Sequence, residues 1–265
     1  MIPSAPQPKS QSEMPSPARP LAGSSIDAAE VGRFAALAQE WWDAEGKFKP
    51  LHRFNPARVD YARRHLARHF ERLLSADSPF EGLSLVDIGC GGGLMAEPMA
   101  RAGFAVTGID AAADGIPVAQ AHALAGGLAI DYRQATAEQL EAEGQQFDAV
   151  IALEVIEHVA DPAAFIRSVA ALVRPGGALV LGTLNRTPKA FAFGVVAAEY
   201  VLRWVPRGTH TWSKFLKPSE VAGFLRPTGL TLQDISGVRY DLGRDRWSVG
   251  GSPEVNYLMF ATAEG

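Results

Sequence analysis

Apolar side chains recur along this chain with two different periods, and the switch between them repeats. From Leu83 onward, short apolar runs of strand length alternate with stretches whose apolar residues return every three to four positions. The pattern predicts strands at Leu83–Ile88, Ala105–Ile109, Ile130–Gln134, Phe147–Leu153 and Ala178–Leu184. Helices fall between them: one after Gly93, one ending near Gly126, and one over about Pro162–Val173 before the turn Pro175-Gly176-Gly177. Two further strands, Leu230–Val238 and Val255–Thr262, close the chain. Regular alternation of this kind implies a mostly parallel sheet of seven strands with helices on both faces, an α/β fold of Rossmann-like type.

Upstream the period is helical throughout. Val31, Phe34, Leu37 and Trp41 repeat at helical spacing, with Gly46 as a stop. A second helix is predicted over about Pro56–Leu74, where Val59, Ala62, Leu66, Phe70 and Leu73 share a face. Arg63, Arg64, Arg68 and Arg72 lie mostly elsewhere and read as a solvated face. The first 25 residues hold six of the 18 prolines and six serines, with almost no large apolar side chains. Such a segment buries too little surface to offset its ordering, so residues 1–25 are expected to be a disordered tail. Residues 26–265 then form one domain, with 26–80 a helical cap and 185–228 an insertion or lid.

Composition narrows the function classes. The chain has 265 residues, 47% of them hydrophobic, enough for a full core. A net charge of −4 argues against nucleic acid as a partner. A single cysteine, Cys90, excludes an intramolecular disulfide and suits a reducing cytoplasm. No apolar run approaches the roughly 20 residues of a membrane-spanning helix.

The stretch Leu85–Gly93 carries the first chemistry. A strand runs into Gly89-Cys90-Gly91-Gly92-Gly93, with Asp110 following at the end of the next strand. Glycines at this density are expected to let a ligand touch bare backbone amides. Two cofactors fit the loop. Gly91-Gly92-Gly93-Leu94-Met95-Ala96 satisfies the G-x-G-x-x-A pattern of dinucleotide sites, which makes an NAD-dependent oxidoreductase a rival. Asp87-x-Gly89-x-Gly91-x-Gly93 resembles motif I of the class I S-adenosylmethionine-dependent methyltransferases, and Asp110 serves either cofactor through ribose hydroxyls. The Pro175-Gly176-Gly177 turn resembles the one these methyltransferases carry before strand five, and too few strands follow for a second dinucleotide half. Both features favour S-adenosyl-L-methionine.

The flanks are more specific. The block from Trp41 to Arg58, with Glu154-Val155-Ile156-Glu157-His158-Val159, Leu184-Asn185-Arg186-Thr187, Ala198-Glu199-Tyr200, Gly208-Thr209-His210 and Val255-Asn256-Tyr257, closely resembles the ubiquinone-biosynthesis O-methyltransferase family. The similarity runs from about Asp27 to Met259. It implies methylation of phenolic hydroxyls on 2-polyprenyl-6-hydroxyphenol and 3-demethylubiquinol. It also implies cofactor contacts at Arg58, Gly89, Asp110 and Leu153, to which the glycine loop adds Gly91. Other enzymes of the same pathway are expected partners. A non-catalytic, lipid-binding assembly component is a second rival, against which the intact Gly89, Asp110, Glu157 and His158 weigh.

A phenol with a pKa near that of tyrosine is mostly protonated at neutrality, so its proton must be taken or its anion stabilised. Glu154, Glu157 and His158 stand at i, i+3 and i+4 just past the fourth predicted strand, and on a helix they would share a face. Three roles stay open. The trio can hold a divalent cation, for which the resemblance implies Mg2+; Glu157 and His158 can act as acid–base groups without metal; or they can simply order the loop.

A polyprenyl substrate also demands access to a bilayer. Ala190–Val205 is apolar and aromatic, flanked by Arg186, Lys189, Arg203 and Arg207, a composition that suits either an interfacial helix or a buried lid. The chain is accordingly expected in the cytoplasm, in peripheral contact with the inner face of the plasma membrane. His210 is expected to border the substrate entrance.

Overall fold

The computed structural model of the chain describes residues 41–46, 48–192, 212–241, 243 and 246–265. The tail at 1–25, the helix expected around Val31–Leu37, and residues 193–211 of the insertion, His210 included, lie outside them.

Eight strands form one sheet in the order β3-β2-β1-β4-β5-β8-β6-β7. In chain order they are β1 Ser84–Ile88, β2 Ala105–Asp110, β3 Asp131–Gln134, β4 Phe147–Leu153, β5 Val173–Leu184, β6 Leu230–Asp241, β7 Arg246–Val249 and β8 Asn256–Ala263. The first five are parallel, and β8, β6 and β7 continue antiparallel from β5. Seven of these are the expected strands. The eighth, β7, is a four-residue edge strand paired to the far end of β6; its alternating half-exposed pattern is too short and too polar to stand out in sequence.

Parallel strands buried on both faces explain the near-continuous apolar runs. Successive side chains point to opposite sides, so Leu85, Ile151 and Val180 join one core cluster while Val86, Val150, Leu179 and Leu181 join the other. The first cluster is covered by helix α1, Lys49–His69, which buries Phe54, Arg58, Tyr61, Ala62 and Leu66. Helix α2, Ala96–Arg101, and helix α3, Gly115–Ala125, share that side. Helix α4, Ala137–Ala142, helix α5, Pro162–Ala171, and helix α6, Pro218–Leu225, cover the other.

Prolines and glycines set the boundaries that differ from expectation. Helix α1 starts at Lys49, seven residues before Pro56, because Pro50 supplies the start and Pro56 is accommodated inside the helix. It stops at His69, where Glu71 adopts a left-handed φ of 54°. The Pro175-Gly176-Gly177 turn lies within β5 as an irregularity: the pairing with β4 jumps from Phe147↔Val173 to Ala149↔Ala178.

Candidate active site

The strand order reverses direction at β1 and β4, so the loops after them diverge and open a crevice at the C-terminal edge of the sheet. The expected site residues converge there. Strand β1 delivers Asp87 and the glycine loop, β2 ends on Asp110, β4 ends on Leu153 followed by Glu154–His158, and α1 brings in Arg58.

The glycine loop is engaged by the protein itself. The amides of Gly89 and Cys90 both donate to the Ile109 carbonyl, at 2.8 and 3.0 Å, and that of Gly93 donates to Cys90 at 2.8 Å. The Gly91 amide donates to Asp110 Oδ2 at 2.9 Å. Four of the five loop amides are therefore spent internally, against the expectation of bare amides awaiting a ligand. A dinucleotide pyrophosphate needs free N–H donors, whereas the methyl donor has no phosphate to satisfy.

The glycines make room for side chains as much as for a ligand. A Cβ on Gly91 would lie 2.5 Å from Trp41 Cζ2, and one on Gly92 would lie 2.5 Å from Trp41 Cβ. Positions 89 and 93 are closed in the same way by Val155 and by the Tyr132 hydroxyl. Tyr132, on β3 directly opposite Gly108, lays its ring where that glycine leaves a gap. The segment Trp41–Gly46 forms a turn strapped across the loop. Trp41 stacks on Phe48 with centroids 4.1 Å apart, and Trp42 Nε1 donates to the Gly92 carbonyl at 2.9 Å while its ring lies flat on His122.

Asp110 is fixed by two backbone amides. Its Oδ1 accepts from the Ala112 amide at 2.8 Å and its Oδ2 from Gly91, which fixes the carboxylate while leaving acceptor capacity on both oxygens. Burial raises its pKa against the pull of those two amides. Asp87 is more deeply buried, with Oδ2 unpartnered; desolvation lifts its pKa to about 7 despite the opposing field of Arg58.

Arg58 reaches the same crevice from α1. Its Nη2 donates to Asn55 Oδ1 at 2.9 Å, its Cζ lies 4.9 Å from the centroid of the Phe54 ring, and its Nε has no partner. Desolvation lowers its pKa, and the fields of Glu154 and Asp87 act the other way. Arg58 therefore does not belong with the solvated arginines of α1. It is a buried cation with unspent donors.

Past β4 the three expected residues do not share a helical face. Glu154 adopts a left-handed φ of 56°, and its amide donates to the Gly182 carbonyl of β5 at 2.9 Å. A left-handed non-glycine residue of this kind carries strain of about 1–3 kcal/mol, which the sheet pairing holds in place. Only Ile156–His158 form a turn, and it is a 3-10 helix. Glu157 is buried. Its Oε2 accepts from Thr183 Oγ1 at 2.8 Å, and its Oε1 has no partner. Burial first, then the neighbouring Glu154 carboxylate, push its pKa well above the usual carboxylate range. Among the described residues no group of three His, Cys, Asp or Glu side chains comes together as a metal cluster, so the trio is not assembled as one.

Three contributors were not singled out in the sequence: Thr183, which steadies Glu157; Tyr132; and Asn55, whose Nδ2 donates to the Leu94 carbonyl at 2.6 Å. Only Asn55 left a trace, as one residue of the Trp41–Arg58 block.

Known proteins agree with this geometry. A family model described as "Methyltransferase domain" matches residues 59–235. Ubiquinone biosynthesis O-methyltransferase from Caulobacter vibrioides is 54% identical over 91% of this chain and 96% of its own length. The protein of that name from Cereibacter sphaeroides is 52% identical over 89% of this chain and 96% of its own. Among solved structures, magnesium protoporphyrin IX methyltransferase from Synechocystis with bound SAH superposes with a TM-score of 0.58 at 19% identity, covering 86% of this chain and 98% of that one. A SAM-dependent methyltransferase from Thermotoga maritima gives 0.57 at 17% identity, over 89% and 99%. The structural likenesses establish the class I methyltransferase fold, and the sequence relatives go further: this chain belongs to the ubiquinone biosynthesis O-methyltransferase family.

Proposed function

We propose that the chain transfers a methyl group from S-adenosylmethionine to phenolic hydroxyls of a polyprenylated ring, with 2-polyprenyl-6-hydroxyphenol and 3-demethylubiquinol as acceptors. The observation that carries the donor is the spent glycine loop beside a fixed Asp110 and an unspent Arg58. That set suits ribose hydroxyls and a methionyl carboxylate, and leaves few amides of the glycine loop for a pyrophosphate. Bound S-adenosylmethionine supplies a methyl group already activated on a sulfonium, so the chain's task is to present an oxygen nucleophile in line. Asp110 holds the ribose, Arg58 the carboxylate, and Gly89, Gly91 and Leu153 shape the walls of the cradle.

The phenol proton falls to the pair of carboxylates. Glu157 Oε1 has no protein donor, and a carboxylate whose pKa is raised well above the usual range by burial and by Glu154 is a better proton acceptor than an ordinary one. His158 stands beside it on the same turn. Two adjacent carboxylates are also an oxygen donor set of the kind Mg2+ takes together with substrate oxygens and water. A cation there would lower the phenol pKa. In that case Glu154 and Glu157 are its protein ligands, with His158 at the margin. Activity followed through EDTA chelation and Mg2+ restoration, in wild type and Glu157→Gln, separates the routes. Full activity after chelation, with E157Q still inactive, leaves proton transfer alone; activity of E157Q near wild type removes the carboxylate from the chemistry.

Substrate access at a bilayer surface, reached from the cytoplasm, completes the proposal. Phe191 and Trp212 are exposed on either side of residues 193–211 and touch edge to face at 6.1 Å, while Arg186 and Lys189, close by in sequence, pair with Glu220 and Glu254. No helix among the described residues is long and apolar enough to cross a membrane. Peripheral contact and association with other enzymes of the pathway follow from the insolubility of the tail. Flotation with anionic liposomes, compared between wild type and a deletion of Lys189–Arg207, tests the contact; equal flotation contradicts it.

A further inference from the structure

Arg58 is 4% exposed, and its side-chain hydrogen bond goes to an amide, Asn55, while Glu154 and Asp87 act on it through their fields alone. A buried guanidinium is costly unless it is satisfied, so the manner of its holding needs a reason. Its two attachments are both neutral: the face of the Phe54 ring and the amide oxygen of Asn55. Asn55, itself 8% exposed, is held in one orientation by chemistry alone. The Leu94 carbonyl can only accept and the Arg58 guanidinium can only donate, so Nδ2 must face Leu94 and Oδ1 must face Arg58. Leu94 directly follows the glycine loop. Asn55 thus ties the cation on α1 to the loop on the sheet, across 39 residues of chain. The charged groups whose fields reach Arg58, Asp87 and Glu154, stand off without a hydrogen bond to it.

We propose that Asn55 is a positioning residue that orients Arg58 toward the methionyl carboxylate of the methyl donor without neutralising it. The inference rests on Arg58 as the carboxylate partner. An aspartate at this place would hold the guanidinium equally close, but it would compete as an internal counter-ion and set a second acceptor against the Leu94 carbonyl. An amide avoids both. The charge of Arg58 is then left without a hydrogen-bonded counter-ion, and its guanidinium is held in place between Phe54 and Asn55.

The test uses calorimetric binding to the full-length protein. S-adenosylhomocysteine is compared with S-adenosyl-3-thiopropylamine, which differs only in lacking the carboxylate. Asn55→Asp is expected to weaken S-adenosylhomocysteine about tenfold or more, the scale of one charged hydrogen bond, and to change the decarboxylated ligand less than about threefold. Asn55→Ala keeps the cation but frees it, and should fall between wild type and N55D, which preserves the comparison if N55D folds poorly. In turnover, N55D should raise KM for S-adenosylmethionine and leave kcat at saturation unchanged. Equal weakening of both ligands in N55D and N55A reduces Asn55 to a structural tie and overturns the proposal, as does no weakening of either. Arg58→Met reads the underlying assignment separately. If R58M discriminates between the ligands as wild type does, the carboxylate is held elsewhere and the proposal falls with it; if R58M alone loses discrimination, only the role of Asn55 is wrong.

Discussion

Replacing Gly91 with alanine tests whether the glycine loop is shaped by the tryptophan strap. The added methyl would lie 2.5 Å from Cζ2 and 2.6 Å from Cη2 of Trp41, on a backbone whose φ is +50°. Two costs then separate. A left-handed alanine costs about 1–2 kcal/mol whatever surrounds it. Forcing a methyl group into a filled space costs about 1–3 kcal/mol more. The sum, about 2–5 kcal/mol, is a large share of the stability of a single domain. Trp41→Ala removes the ring and leaves the φ cost, so the second contribution should vanish in that background. Urea unfolding of wild type, G91A, W41A and the double variant closes a cycle whose coupling should be about 1–3 kcal/mol. A coupling below about 0.5 kcal/mol, with G91A equally destabilising in both backgrounds, would refute the packing argument and return Gly91 to a purely conformational role.

Further expectations concern the charged groups. Asp110→Asn should keep the fold and weaken S-adenosylhomocysteine about ten- to a hundredfold by calorimetry, since a charge-assisted acceptor for ribose becomes a neutral one; unchanged affinity removes Asp110 from the site. The Asp87 carboxyl sits at about 7 in the folded chain against an ordinary 3.8, so the stability it contributes is complete below pH 4 and lost as the pH rises through 7. Unfolding measured at pH 4 and pH 8 should therefore show Asp87→Asn gaining on wild type at the higher pH, by at most about 4 kcal/mol; parallel curves contradict the burial argument. Thr183→Val removes the hydroxyl that favours ionised Glu157, and the acidic limb of the kcat profile should move to higher pH. An unmoved limb places the essential ionisation elsewhere.

The sheet was legible because parallel strands buried on both faces leave continuous apolar runs, and seven of them were found in sequence. Strand β7 was not, since four half-exposed residues at an edge carry no such signal. The site was legible in its residue types more than in its geometry. Asp110, Arg58 and Glu157 lie at one edge of the sheet, yet the glycines at 91 and 92 serve Trp41, a contact that no local pattern encodes. Glu154, Glu157 and His158 have helical spacing but no shared helical face, because the Glu154 amide extends the pairing with β5 and turns the backbone left-handed. Asn55 escaped notice for a similar reason. Its value lies in two partners, one three residues away and one 39 residues away, and only the fold brings both to the same amide.

Purified protein incubated with S-adenosylmethionine and 3-demethylubiquinol, with products followed by mass spectrometry, tests the central claim most directly. The account predicts a ring product heavier by one methyl group, formed in equal amount with S-adenosylhomocysteine, and no change in the acceptor when NAD replaces the methyl donor. An unmethylated acceptor recovered intact from protein that binds S-adenosylhomocysteine, with and without Mg2+, would contradict it.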